Sequence, residues 1–184
     1  MSKFCQMAFS GFFLTSDPHD GQGPRTYYAE GTDGINFTMK GVAFSRPGKM
    51  VLDPSTLLIG TTWHLFAGAP TEGLCVNWHA TSTDGTSFTL VGTKTFEKDV
   101  VKQMFANGIA APRGYRGHTF TAGLEDIQAI NSFSTTDGVT WTADSGTRLA
   151  VDTTTGKEGL VVKDPAVVRI SDGAYLMVYV TAIP

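Results

Sequence analysis

Thr32-Asp33-Gly34-Ile35-Asn36-Phe37-Thr38 returns as Thr83-Asp84-Gly85-Thr86-Ser87-Phe88-Thr89, and a third time as Thr136-Asp137-Gly138-Val139-Thr140-Trp141-Thr142. The aspartates stand 51 and 53 residues apart, and a period of that size is the mark of a stacked architecture. Asp-Gly supplies the positive φ angles of a tight hairpin turn, and the aromatic three residues beyond the glycine begins a half-buried return strand. The motif is therefore a turn first, and functional only by position.

A second landmark keeps time with the first. Asp53-Pro54, Ala111-Pro112 and Asp164-Pro165 each introduce a short apolar stretch, at spacings of 58 and 53 residues. Proline at a strand start gives up a donor where the ladder has not yet formed. Between the two landmarks lies an aromatic-rich strand: Trp63 to Ala67, His118 to Thr121, and Tyr175 to Val180, with Cys5 to Leu14 as an earlier copy. The unit is a four-stranded antiparallel blade, and the expected fold is all-β and propeller-like with about three blades. The spacing predicts a single domain with a partial blade over 1–50, blades over 51–107 and 108–150, and a partial blade over 151–184.

Bulk composition agrees with this. Of 184 residues, 41% are hydrophobic, enough for a buried core in a soluble globular protein. Glycine is abundant and long Ala/Leu/Glu/Lys stretches are absent, so helix should be scarce. Only 17% of residues are charged, the net charge is −3, and no run of Lys or Arg occurs. Nucleic acid and anionic membrane are therefore not expected partners. The apolar stretch Phe4 to Leu14 reads as a strand rather than a signal peptide, and no segment has the ~20 apolar residues of a transmembrane helix. The sequence leaves the compartment open. Cys5 and Cys75 have no metal-ligand spacing and read as buried thiols, with a single disulfide as the alternative.

Leu52-Asp53-Pro54, Ser82-Thr83-Asp84-Gly85 and Val162-Lys163-Asp164-Pro165-Ala166-Val167-Val168-Arg169, followed by Asp172-Gly173-Ala174-Tyr175-Leu176-Met177, carry a resemblance. The pattern is similar to the five-bladed propellers of the arabinanase, fructosidase and mannoside-phosphorylase glycosidases, in a shortened version, and to sialidase-like proteins with Asp-box turns. That resemblance implies a saccharide ligand at a central funnel, with acidic groups presented from the beginnings of the first strands. Glycoside cleavage needs two carboxyl groups, one protonated for the leaving group and one ionised to activate water or to attack. The resemblance places Asp53 and Asp164 in these catalytic positions. The middle blade departs from the pattern, with Ala111 where an acid is expected before Pro112. Glu125 and Glu158 are conceivable substitutes outside any matching motif.

Other candidates for ligand binding are Arg113, Arg116 and His118 as a polar, partly cationic wall, and Trp63 with His64 as a stacking face. Each has a plain alternative in loop solvation or core packing. No cofactor is expected: the histidines at 19, 64, 79 and 118 lack metal-ligand spacing, and a cation in the funnel has no motif behind it. Two readings follow. In the first, a saccharide-binding protein of glycosidase type, with weak or lost hydrolysis, places Asp53 and Asp164 in one cavity ~5–10 Å apart with at least one pKa raised. In the second, a non-catalytic propeller segment binds a partner or itself, and the two aspartates only cap local turns. Thirteen strands are expected where a ring of five four-stranded blades takes about 20. Self-association into a homo-oligomer is the favoured completion over a small closed ring or a longer chain.

Overall fold

The computed structural model describes residues 10–121, 128–152, 154 and 161–182. Strands β1 (Ser10–Ser16), β2 (Arg25–Gly31) and β3 (Thr38–Phe44) form one antiparallel sheet. A second unit comprises β4 (Leu52–Ile59), β5 (Thr62–Gly68), β6 (Val76–Ser82) and β7 (Thr89–Lys98). A third comprises β8 (Val101–Ala111), β9 (Gly114–Thr121), β10 (Ala129–Thr135) and the short β11 (Thr142–Ala143) and β12 (Leu149–Ala150), which both pair with β10. The chain then enters β13 (Val162–Ser171) and β14 (Ala174–Thr181), a two-stranded ribbon. These are propeller blades: each runs strand by strand through antiparallel neighbours, and each packs face to face on the next. A short hairpin, Phe96↔Gln103 to Lys98↔Val101, joins the second and third blades into one continuous sheet.

The Asp-Gly repeats are turns, but not the two-residue kind that the sequence suggests. They lie in connections of equal length between β2 and β3, β6 and β7, and β10 and β11, and only the glycines are left-handed, with Gly34, Gly85 and Gly138 at φ 71°, 76° and 75°. The aspartate organises the rest. Oδ1 of Asp33 accepts the Ile35 and Asn36 amides, that of Asp84 the Thr86 and Ser87 amides, and that of Asp137 the Val139 and Thr140 amides. Those bonds favour the ionised form and hold all three carboxyls at about 2.

The second landmark splits. Asp53-Pro54 and Asp164-Pro165 do open first strands, and each coincides with a bulge, between Leu52 and Ser55 in β4 and between Lys163 and Ala166 in β13. Pro112 does not. It sits with Arg113 in the hairpin turn joining β8 to β9, at the far end of the first strand, because β8 begins at Val101 and runs across the expected 107/108 boundary. The corresponding bulge of β8 lies between Phe105 and Asn107, so Phe105-Ala106 occupies the place that the other blades give to Asp-Pro, with Phe105 in the position of the aspartate. An Ala-Pro step in a hairpin had imitated an X-Pro strand start.

At each bulge a nearby first-strand amide is taken by a side chain from the preceding blade. The Thr15 hydroxyl accepts the Asp53 amide at 3.0 Å, the Asn77 side-chain carbonyl accepts that of Phe105 at 3.1 Å, and the Asn107 carbonyl accepts that of Val167 at 2.9 Å. Asn77 is wholly buried and also donates to the carbonyls of Cys75, Lys94 and Gln103.

Apolar side chains fill the blade junctions. Phe44, Val51, Leu65, Trp78 and Phe88, with Phe13 and Tyr28, close the first junction. Phe66, Phe96, Phe105, Phe133 and Trp141 close the second in a cluster of tilted and edge-on rings. No described strand of the first sheet pairs with β13 or β14. The outer face of the β13–β14 ribbon is left bare, with Ile170 64% and Val178 62% exposed. Among the described residues no helix is long and apolar enough to cross a membrane. Cys5 lies outside the described residues; Cys75 is buried.

Close approach at the second junction demands glycine at 117. A Cβ there would stand 2.3 Å from the Phe105 ring and 2.9 Å from Trp141, whereas one at Gly92 would meet nothing within 4 Å. Gly117→Ala is expected to destabilise the fold by ~1–3 kcal/mol by overpacking, and Gly92→Ala to be neutral or slightly stabilising. Urea denaturation of the two variants checks the contrast.

Candidate functional site

Bulges expose side chains that a regular ladder would turn aside, and here they converge. Asp53 from β4 and Asp164 from β13 line one cavity of about 370 Å³, together with Met104 and Phe120 from the third blade and Lys163. An adjoining recess of about 230 Å³ is lined by the same two aspartates, their prolines, Phe105 and Ala106. Three first strands from three blades therefore meet at the site, two bringing a carboxylate and the middle one the Phe105 ring in its place.

Both aspartates are held in the left-handed region, at φ 48° for Asp53 and 49° for Asp164, a conformation that a residue other than glycine keeps only when its surroundings impose it. The Asp164 carboxylate pairs with the Lys163 ammonium at 3.1 Å. Asp53 has no such neighbour of its own, and among the described residues no donor meets its carboxyl. Burial in the recess pushes its pKa up, the Asp164 charge pushes it further, and Lys163 opposes both. The two acids therefore stand in unequal surroundings, and those of Asp53 raise its pKa.

The remaining candidates lie elsewhere. Trp63 is half-buried beneath the turn of its own blade, where Gly85 would bring a Cβ within 2.9 Å of its indole nitrogen. His64 lies under Gly138 of the third blade and shares a 2.9 Å hydrogen bond, Nδ1 to Nε2, with His79, which stacks on Phe66 at 4.7 Å. These groups are junction packing. Arg113 is exposed in the β8–β9 turn beside Ser134 and Thr142, and Arg116 pairs through Nε with Asp144 at 3.0 Å. His118 is buried in β9. None of the five lines the Asp53–Asp164 cavity. Glu125 and Glu158 lie outside the described residues. Among the described residues no three His, Cys, Asp or Glu side chains gather as a metal would need.

The sequence reading overlooked Met104, Ala106, Phe120 and Lys163. Lys163 adjoins a quoted aspartate and was within reach. The other three carry no local signal, since only the register of β8 and β9 brings them to the axis.

No protein-family model and no curated protein sequence matches the chain. Solved structures do. A β-1,3-galactosidase of glycoside hydrolase family 43 superposes with a TM-score of 0.70 at 14% identity, over 96% of this chain and 39% of that one. The exo-β-1,3-galactanase of Phanerochaete chrysosporium, in complex with β-1,3-galactotriose, gives 0.66 at 12% identity over 94% and 41%. The sialidase of Trypanosoma rangeli gives 0.55 at 11% over 95% and 33%. The fold is thus that of the β-propeller glycosidases, and the chain spans about two-fifths or less of these three proteins.

The buried imidazoles make stability depend on pH. Burial holds His64 below the ordinary histidine range and His79 and His118 at about 4, with the His64 neighbour adding to the effect at His79 and Arg116 at His118. An unfolded chain takes up these protons near pH ~6.5. Between ~6.5 and ~4 the unfolded state therefore binds more protons, so stability is full above that window and is lost as pH falls through it. Urea midpoints are expected to decline from about pH 7 to about pH 4.5, less steeply in His118→Gln; a flat profile would mean that the histidines are not buried as neutral rings.

Proposed function

We propose that this chain binds a saccharide in the axial cavity, with Asp53 and Asp164 as its polar contacts and Met104 and Phe120 as its apolar walls, and with hydrolysis weak or lost. The observation that carries the reading is that two aspartates far apart in sequence, on equivalent bulges of different blades and in the same left-handed conformation, line one cavity. Carboxylates suit sugar hydroxyls because they accept two or more hydrogen bonds each, and Phe120 offers a ring to the apolar face of a pyranose.

Binding is favoured over turnover because the middle blade presents Phe105 where a third acid would stand. Should turnover persist, Asp53 is the proton donor, since its surroundings favour the neutral acid. Galacto-oligosaccharides with β-1,3 links are the first ligands to try, given the proteins with which the chain shares its fold.

A second reading has its own observation. The bare face of β13–β14 carries Val168, Ile170, Leu176, Val178 and Val180. Counted from the hairpin, Leu176 and Val178 hold the places that His64 and Phe66 hold on β5, where the next blade covers them. That supports self-association without catalysis.

Calorimetric titration with β-1,3-galactobiose, beside light scattering and an aryl-galactoside assay on the same sample, separates the two. The saccharide reading expects binding that drops at least about tenfold, ~1.4 kcal/mol, in both Asp53→Asn and Asp164→Asn. No binding of any galacto-oligosaccharide tried, in a protein whose mass shows a stable dimer, would favour self-association instead.

A further inference from the structure

We infer that Thr15 is a positioning residue for the site: its hydroxyl, by accepting the Asp53 amide across the junction between the first two blades, sets the Asp53 carboxyl in the axial cavity. The part of the inference that concerns affinity rests on the saccharide reading above; the part that concerns Asp53 does not.

Leu52 pairs with Gly68 and Ser55 with Phe66, so Asp53 and Pro54 lie outside the β4–β5 register. A residue before proline is pushed toward extended backbone, yet Asp53 is left-handed at φ 48°. Something outside the strand has to hold it there. The donor that this conformation turns away from β5 is the Asp53 amide, and it meets Thr15 Oγ1 at 3.0 Å. Thr15 belongs to β1, in a different sheet, where its own backbone pairs with Thr26. The hydroxyl is therefore free to serve the neighbouring blade without cost to its own ladder.

Asn77 and Asn107 make the same kind of bond to Phe105 and Val167, but neither of those residues carries a carboxyl. Thr15 is the one among the three that fixes a candidate ligand group directly. Without an acceptor the Asp53 amide has reason to seek water or the β5 edge, and φ relaxes toward the extended region. In extended backbone a side chain points to the opposite face after each residue, so this relaxation would turn the Asp53 carboxyl out of the recess and away from Asp164.

The test is the titration of Asp53 followed by carboxyl ¹³C NMR in the full chain, with calorimetry against β-1,3-galactobiose. Asp164→Asn is the control, and should lower the Asp53 midpoint while leaving it raised by burial. Thr15→Val is expected to bring the midpoint down toward the ordinary carboxylate range and to weaken binding by about tenfold. Thr15→Ser, which keeps the hydroxyl, should restore both. If Thr15→Val does not fold, Thr15→Ala is read by the same two measurements. An Asp53 titration unchanged by loss of the hydroxyl overturns the inference. If instead Asp53 responds to Thr15 but Asp53→Asn leaves saccharide affinity intact, the positioning role stands and the saccharide reading falls.

Discussion

A bulge at the start of a first strand turns an amide away from its ladder, and where that amide is buried, as at Phe105, leaving it unpaired costs roughly 1–3 kcal/mol. In this protein the debt is settled sideways. Thr15, Asn77 and Asn107 each reach from one blade to a first-strand amide of the next. The blades are thus joined near their axis by directional bonds as well as by apolar packing, and the axis is where precision matters. Apolar packing alone tolerates sliding, because a phenylalanine cluster such as Phe66, Phe96 and Phe105 is satisfied by many ring arrangements. A hydrogen bond from a fixed amide to a fixed hydroxyl is not.

The site follows from that constraint. Asp53 and Asp164 are separated by most of the chain, and what brings them to one cavity is the repetition of a bulge, not any local motif. The same repetition makes the site unequal. Lys163 sits beside Asp164, while burial and the Asp164 charge push the Asp53 pKa up, so the cavity holds two acids in unequal surroundings. The third bulge places Phe105 at the equivalent position and adds no charge, which leaves the carboxylates two in number and the pocket wall more apolar.

Much of the architecture was legible in the sequence because turns are local. Asp33, Asp84 and Asp137 announce their own connections, and the aromatic residue that closes each of them is within the same heptapeptide. The second strands were legible for the same reason, from runs such as Trp63 to Ala67. Register was not. A bulge is a relation between two strands, and Pro112 in a hairpin looks, residue by residue, like Pro54 at a strand start. That confusion placed Ala111 at a position that belongs to Phe105. Trp63 and His64 attracted attention by their chemistry, yet face a turn and a neighbouring blade, since the covering glycines at 85 and 138 lie far along the chain. Asp53 and Asp164 stood out only because proline follows each; Met104 and Phe120 had nothing to mark them.

The central claim is that three bulges, from three blades, build one binding cavity. Amide chemical-shift mapping by ¹H–¹⁵N NMR during addition of β-1,3-galactobiose tests it most directly. The account predicts that Asp53, Ala106, Phe120, Lys163 and Asp164 respond together, at a single saturating concentration, although they belong to different blades. Shifts confined to Trp63, His64, Arg113 and Arg116, with the axial residues silent, would contradict it.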